Sequence, residues 1–288
     1  MAKVRVVANP LRTGRVGADT FYIVKGAQVI RPSKNNSNYG ESASRSEAQQ
    51  ERRVKWSNLV AFYKMSKLFM SRAFETKERT QSDYNKFMSV NMNRTQVSLT
   101  KNEANQGACV VEPLRVSLGT LSPVTYSFQG GQIRTSIICD MNIDDNTSVG
   151  EFAAEVLSAN PEITPMTQIS VIVYSQELVE GIPRATMNAY EVTLDPTDSA
   201  SNLRAKFEGI TISSAGERLQ FALTGSMNGV AVLKSYSADG KGIRVSTQDV
   251  LLFGSQDIYN EWTGDTKAAQ ARESYGEDPE HFLESGDL

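Results

Sequence analysis

Between residues 47 and 74 the chain places Trp56, Leu59, Val60, Phe62, Tyr63, Phe69, Met70 and Phe74 at mixed three- and four-residue spacing. That period predicts a long amphipathic helix whose apolar face is wider than a surface helix needs. A helix of this kind must be covered on two sides, by a sheet on one and by a second helix or a partner on the other. Its polar side is basic, with Arg52, Arg53, Lys55, Lys64, Lys67 and Arg72. Ser44 or Ser46 is placed to cap it, Ser44 with Glu47 in a capping box. A shorter helix is expected over 81–93, with Tyr84, Phe87, Met88 and Met92 on one stripe, packed against the first.

Upstream, Phe21 and Ile23 alternate with Tyr22 and Val24, Gly26 and Ala27 make a turn, and residues 28–31 return to a stop at Pro32. This reads as a β-hairpin, preceded by turn glycines Gly14 and Gly17 and followed by a polar loop over 33–45. From Gln96 the texture becomes β. Candidate strands lie at 96–100, 108–111, 114–117, 124–128, 132–138, 169–174, 189–193, 209–212, 219–224, 230–236 and 250–253, with turn residues between them. One helix is expected at 148–159, started by Thr147 or Ser148 and stopped at Asn160-Pro161. Short strands at regular spacing indicate an antiparallel sandwich or a partly closed barrel. The expected fold is therefore α+β: a hairpin–helix module over 1–95, a β-sandwich region over 96–253, and an acidic C-terminal arm over 254–288. The arm carries Trp262, Tyr275 and Phe282, more aromatics than a solvated tail keeps, and is read as extended and docked on a neighbour.

Charge divides the chain. Residues 1–115 hold 20 Lys and Arg against 9 Asp and Glu, a net of +11, and residues 116–288 hold 10 against 24, a net of −14. The two halves are suited to different surfaces, or to each other across a head-to-tail contact of two copies. The alternative partner for the basic half is the phosphate backbone of DNA, and the bland alternative is a solvated helix face.

The one histidine, His281, speaks against histidine-based catalysis and imidazole-rich metal sites. Cys109 and Cys139 are read as two free core thiols. No apolar stretch is long enough for a membrane span, and no signal peptide is visible, so no membrane span is expected. The glycines of Gly14-Arg15-Val16-Gly17 lack the P-loop pattern and are read as turn residues. Asp140, Asn142 and Asp144 echo a calcium loop, but Asp145 occupies the position of its glycine, so a helix cap at Ser148 is the plainer role. Glu151 and Glu155 share a helix face and are read as solvated surface. No catalytic residue, cofactor or metal is assigned.

Several of these features also carry a resemblance. Gly14-Arg15-Val16-Gly17, Val24-Lys25-Gly26, Val29-Ile30-Arg31 with Lys34, Gln49 with Arg53, and the aromatic run from Trp56 to Phe74 resemble a family of uncharacterised proteins, a domain of unknown function, from Bacteroidales and their crAss-like phages. The likeness covers about residues 9–95 and continues more weakly through the β region. The chain departs from the pattern at Ile23-Val24, where the family has an aromatic residue, and in its acidic tail. The family has no assigned activity. What the resemblance implies is a virion structural protein (head, fibre-base, neck or tail-ring subunit) assembled in the bacterial host cytoplasm, with further copies of itself and other virion proteins as partners.

On that reading the chain is not an enzyme. Trp56, Tyr63, Phe69 and Phe74 are expected to be packing anchors; Arg52, Arg53, Lys64 and Lys67, charged contacts; and Trp262, Tyr275 and Phe282, tail anchors. A nucleic-acid-binding protein using the basic N-terminal module is the runner-up. A carboxylate-based glycan hydrolase is the third reading, disfavoured because no carboxylate pair stands out.

Overall fold

The computed structural model describes residues 13–16, 19–24, 27–32, 47–78, 81–223, 227–237 and 242–276. From the N-terminus, β1 (Gly14–Val16), β2 (Asp19–Val24) and β3 (Ala27–Pro32) form an antiparallel meander. Helices α1 (Glu47–Met70), α2 (Asp83–Asn91) and the short α3 (Lys101–Asn105) follow. Strands β4 (Arg115–Ser117), β5 (Tyr126–Gln129) and β6 (Gln132–Ile138) lead to α4 (Val149–Ala159). The rest of the β region is β7 (Gln168–Val179), β8 (Ile182–Thr193), β9 (Ile210–Ala215), β10 (Arg218–Leu223), β11 (Met227–Ser237), β12 (Ile243–Val245), β13 (Gln248–Asp249) and β14 (Leu251–Leu252). Helices α5 (Asp257–Thr263) and α6 (Asp265–Gly276) close the described chain. The fold is α+β, as its residue pattern predicts, with antiparallel sheets.

Three layers account for the packing. A four-stranded sheet of order β5-β6-β10-β9 faces a five-stranded sheet of order β12-β11-β7-β8, with β14 paired to β11. Alternation along the central strands then divides the two cores. Ile169, Val171 and Val173 of β7 and Val230 and Val232 of β11 point between the sheets, with Phe152 and Val156 of α4 and Phe207 and Phe221 completing that core. Ile172 and Tyr174 of β7 and Ala231 and Leu233 of β11 point the other way, into a second core shared with Leu59, Phe62 and Met70 of α1 and Phe87 of α2. The central sheet is thus covered on both faces, so its strands read as continuous apolar runs rather than alternating ones.

Local chemistry sets the boundaries. The hairpin loops Gly130-Gly131, Glu180-Gly181 and Gly216-Glu217 each hold two consecutive residues at positive φ, the conformation that matches the twist of two-residue hairpins. Ser148 caps α4 in a full capping box with Glu151, and Thr100 does the same for α3 with Glu103. Ser148 therefore takes the capping role expected of it. Nearby Asp145 pairs with Arg204, and among the described residues no cluster suited to a metal is found. No helix among them is long and apolar enough to cross a membrane.

Differences from the sequence expectation have physical causes. The first helix ends at Met70, and Phe74 lies beyond it, its backbone bridged to Leu118 and its side chain buried. Residues 257–276, expected as an extended arm docked on a neighbour, form α5 and α6 and pack on this chain itself: Trp262 is buried against Val97, Leu99 and Val110. The loop at 33–45, His281 and Phe282 lie outside the described residues.

Candidate functional site

The extended segment over 108–117 is the seat of the helical layer, and two asparagines hold it. Asn58 of α1 accepts from the Val110 amide at 2.8 Å and donates to the Val110 carbonyl at 3.0 Å. Asn91 of α2 does the same for Arg115, at 2.8 and 2.9 Å. A side-chain amide copies the hydrogen bonding of a peptide group, so each asparagine stands in for a missing neighbour strand. Between them sits Glu112, fully buried. Its carboxylate accepts from Asn58 Nδ2, Thr95 Oγ1 and the Gln96 amide. Burial pushes its carboxyl up, and the hydrogen bonds from Asn58, Thr95 and the backbone pull it back.

This seam fixes one wall of an open groove of about 440 Å³ beside α1, bounded by α3, β8 and α6. Trp56, Val60, Lys64 and Met65 of α1 line it, with Cys109 and Tyr275. The Tyr275 hydroxyl meets Ser57 Oγ at 2.8 Å, which ties α6 to α1 at the groove's edge. Among the described residues, Lys64 is the one charged side chain of the lining. The groove thus sets an apolar lining beside the Lys64 cation. Burial pushes the Cys109 thiol up to about 12 and that of Cys139 to about 11, so both stay protonated at neutral pH and neither is a ready nucleophile.

The structure brings together three of the residues singled out from the sequence: Trp56, Lys64 and Tyr275 all line this groove. Trp56 is 43% exposed and stands edge-on to Tyr84, while Tyr63 packs on Tyr84 and Phe87 to hold α2 against α1. Arg52, Arg53 and Lys67 are exposed on the same helix, outside the lining, and with Lys64 form no ion pair among the described residues. Phe69 and Phe74, expected as contact anchors, are instead buried in the chain's own core, because the apolar face of α1 is taken up by the central sheet. Trp262 is likewise internal. Its indole donates to Glu103 Oε1, and Lys267 both pairs with that oxygen at 2.5 Å and lies over the indole ring.

Asn58, Asn91 and Glu112 are not among the residues singled out from the sequence. The two asparagines carry one signal, a polar residue where helical period calls for an apolar one, as at Asn58 between Val54 and Phe62; Glu112, in an extended segment, carries none. No family model matches the chain, and no curated protein or solved structure shows significant similarity to it.

Proposed function

We propose that this chain is a virion structural subunit that works by packing against further copies of itself and against other virion proteins, without catalysis. The observation that carries the reading is an uncovered apolar face on the N-terminal meander. Phe21 stands opposite Ile30 in register and Ile23 lies two residues on, so the three share one face, and Ile23 and Ile30 are 40% and 48% exposed. Among the described residues, the meander's strands pair only with one another. Three short strands with an apolar face need a surface to pack on.

A second copy is the occupant favoured by charge, since the basic half of one molecule complements the acidic half of another. The groove beside α1, with Trp56 exposed at its wall, and Leu68, 88% exposed on the same helix, add further contact surface. The assignment to a virion, assembled in the bacterial host cytoplasm, rests on the likeness of residues 9–95 to the phage-associated family. Sedimentation of the full-length protein and of an Ile23→Asp, Ile30→Asp double variant tests the packing role. The variant leaves both cores untouched and is expected to sediment as a monomer where the wild type does not. Equal sedimentation of the two as multimers would remove the meander from the interface.

One observation favours nucleic acid as a second reading: Arg52, Arg53, Lys64 and Lys67 are exposed cations on one helix that form no ion pair among the described residues. Binding of this kind would weaken steeply with salt. Full-length protein that DNA-cellulose fails to retain at low salt would close it.

A further inference from the structure

One residue of the central sheet breaks its alternation. On β11, Val230 and Val232 face the space between the sheets and Ala231 and Leu233 face the helices. Lys234 is next on the sandwich side, opposite Ile169 and only 5% exposed. A lysine is almost never this buried unless it is paired. Yet its Nζ donates to Ser122 Oγ at 3.0 Å, and among the described residues no carboxylate stands within ion-pair distance. An ammonium has three donors, so two are left over among the described residues.

Lys234 lines a pocket of about 250 Å³ at the end of the sandwich, together with Ser122, Thr164, Thr167, Tyr236 and Arg244. Arg244 donates through Nε and Nη2 to Thr120 Oγ1 and lies near Glu75. Among the described residues, Glu162 is the one acid of the lining, exposed and near enough to favour the charge on Lys234 without pairing with it. Burial pushes the Lys234 ammonium down from its ordinary value. The pocket thus holds two cations, several hydroxyls and a single acid in a space that admits one small group.

We infer that this pocket binds an oxyanion, a carboxylate or a phosphate group, with Lys234 as its central donor and Arg244 as the second cation. The bound anion supplies the counter-charge that the buried ammonium lacks, and the hydroxyls of Ser122 and Thr164 complete its hydrogen bonds. Glu162 limits the site to small anions of low charge, because a larger polyanion would meet its carboxylate.

The test is thermal unfolding of the full-length protein against rising inorganic phosphate, and separately succinate, at ionic strength held constant with chloride. The wild type is expected to gain stability saturably with at least one of the two, and whichever acts at lower concentration identifies the preferred group. Lys234→Met keeps the length of the side chain and removes the charge. It is expected to fold and to lose about tenfold or more in affinity, the value of a charge-assisted hydrogen bond in a buried site. Arg244→Gln, at an exposed position, is expected to weaken binding severalfold with the fold intact. A wild type that responds to neither anion beyond chloride overturns the proposal, as does a Lys234→Met protein that responds as the wild type does.

Discussion

Asn58 and Glu112 meet in a seam closed to solvent, where Asn58 Nδ2 donates to Glu112 Oε1 at 2.7 Å while the same asparagine holds the Val110 peptide in both directions. One helical residue thereby satisfies a buried carboxylate and two buried backbone groups. Asn58→Leu is expected to cost about 3–5 kcal/mol, because each orphaned buried group carries its own desolvation penalty. Asn58→Asp is expected to cost more, since it sets a second carboxylate against Glu112. Urea unfolding of the two variants checks the order.

Tyr174 gives the opposite sign. Its hydroxyl and that of Ser66 are buried in the helical layer, and among the described residues neither makes a hydrogen bond of good geometry. Its ring packs at a tilt against Phe62, with centroids 5.1 Å apart. Tyr174→Phe keeps the ring and removes the orphaned group. The variant is expected to be as stable as the wild type or up to about 1 kcal/mol more so, read from the midpoint of urea unfolding.

Gly119 lies where the segment after β4 runs against β12. A Cβ there would stand 2.2 Å from the Val245 carbonyl oxygen and 2.6 Å from Glu75 Oε2. The obstruction includes backbone, so it cannot swing aside. Gly119→Ala is expected to destabilise by more than about 2 kcal/mol, with Gly130→Ala, whose Cβ meets nothing within 4 Å, as the comparison for turn strain alone.

The docking of the C-terminal helices depends on pH through Glu103. Burial opposes its ionisation, but hydrogen bonds from Lys267 and Thr100 outweigh that and hold its carboxyl below the usual carboxylate range. A carboxyl lowered in the folded state contributes stability that is present above its unfolded pKa and is lost as pH falls through the folded value. The contact between Trp262 and Glu103 is therefore expected to loosen only in acid. In a Trp56→Phe background Trp262 is the sole tryptophan, and its emission should shift red as the pH drops below about 4. Glu103→Gln should weaken the docking at neutral pH by about 1–3 kcal/mol and remove this group's part of the acid transition.

What could be read from the sequence was what local pattern decides. Strand β6 was legible to the residue because its alternation runs clean between a glycine turn and Cys139, and α4 because its cap, apolar face and Asn160-Pro161 stop agree. The first half of β8 was not: the candidate strand starts at 189, after a turn expected at Gly181-Ile182-Pro183, yet the strand pairs along its whole length with β7. Helices α5 and α6 were missed because few of their residues are apolar, and they are held by distant partners: Trp262 on Glu103, and Tyr275 on Ser57. Three groove residues, Trp56, Lys64 and Tyr275, were named without any sign in the sequence that they converge. Lys234 stood in plain view at the end of an apolar run, but its burial follows from the way the two sheets close over it.

The proposed assembly role calls for one copy to pack against the next, with the basic half of each molecule set toward the acidic half of its neighbour. The mass of the full-length protein in solution, measured by light scattering at low and at high salt, tests this most directly. A discrete multimer at low salt that dissociates at high salt is the expected result. A monomer at both salts would contradict it.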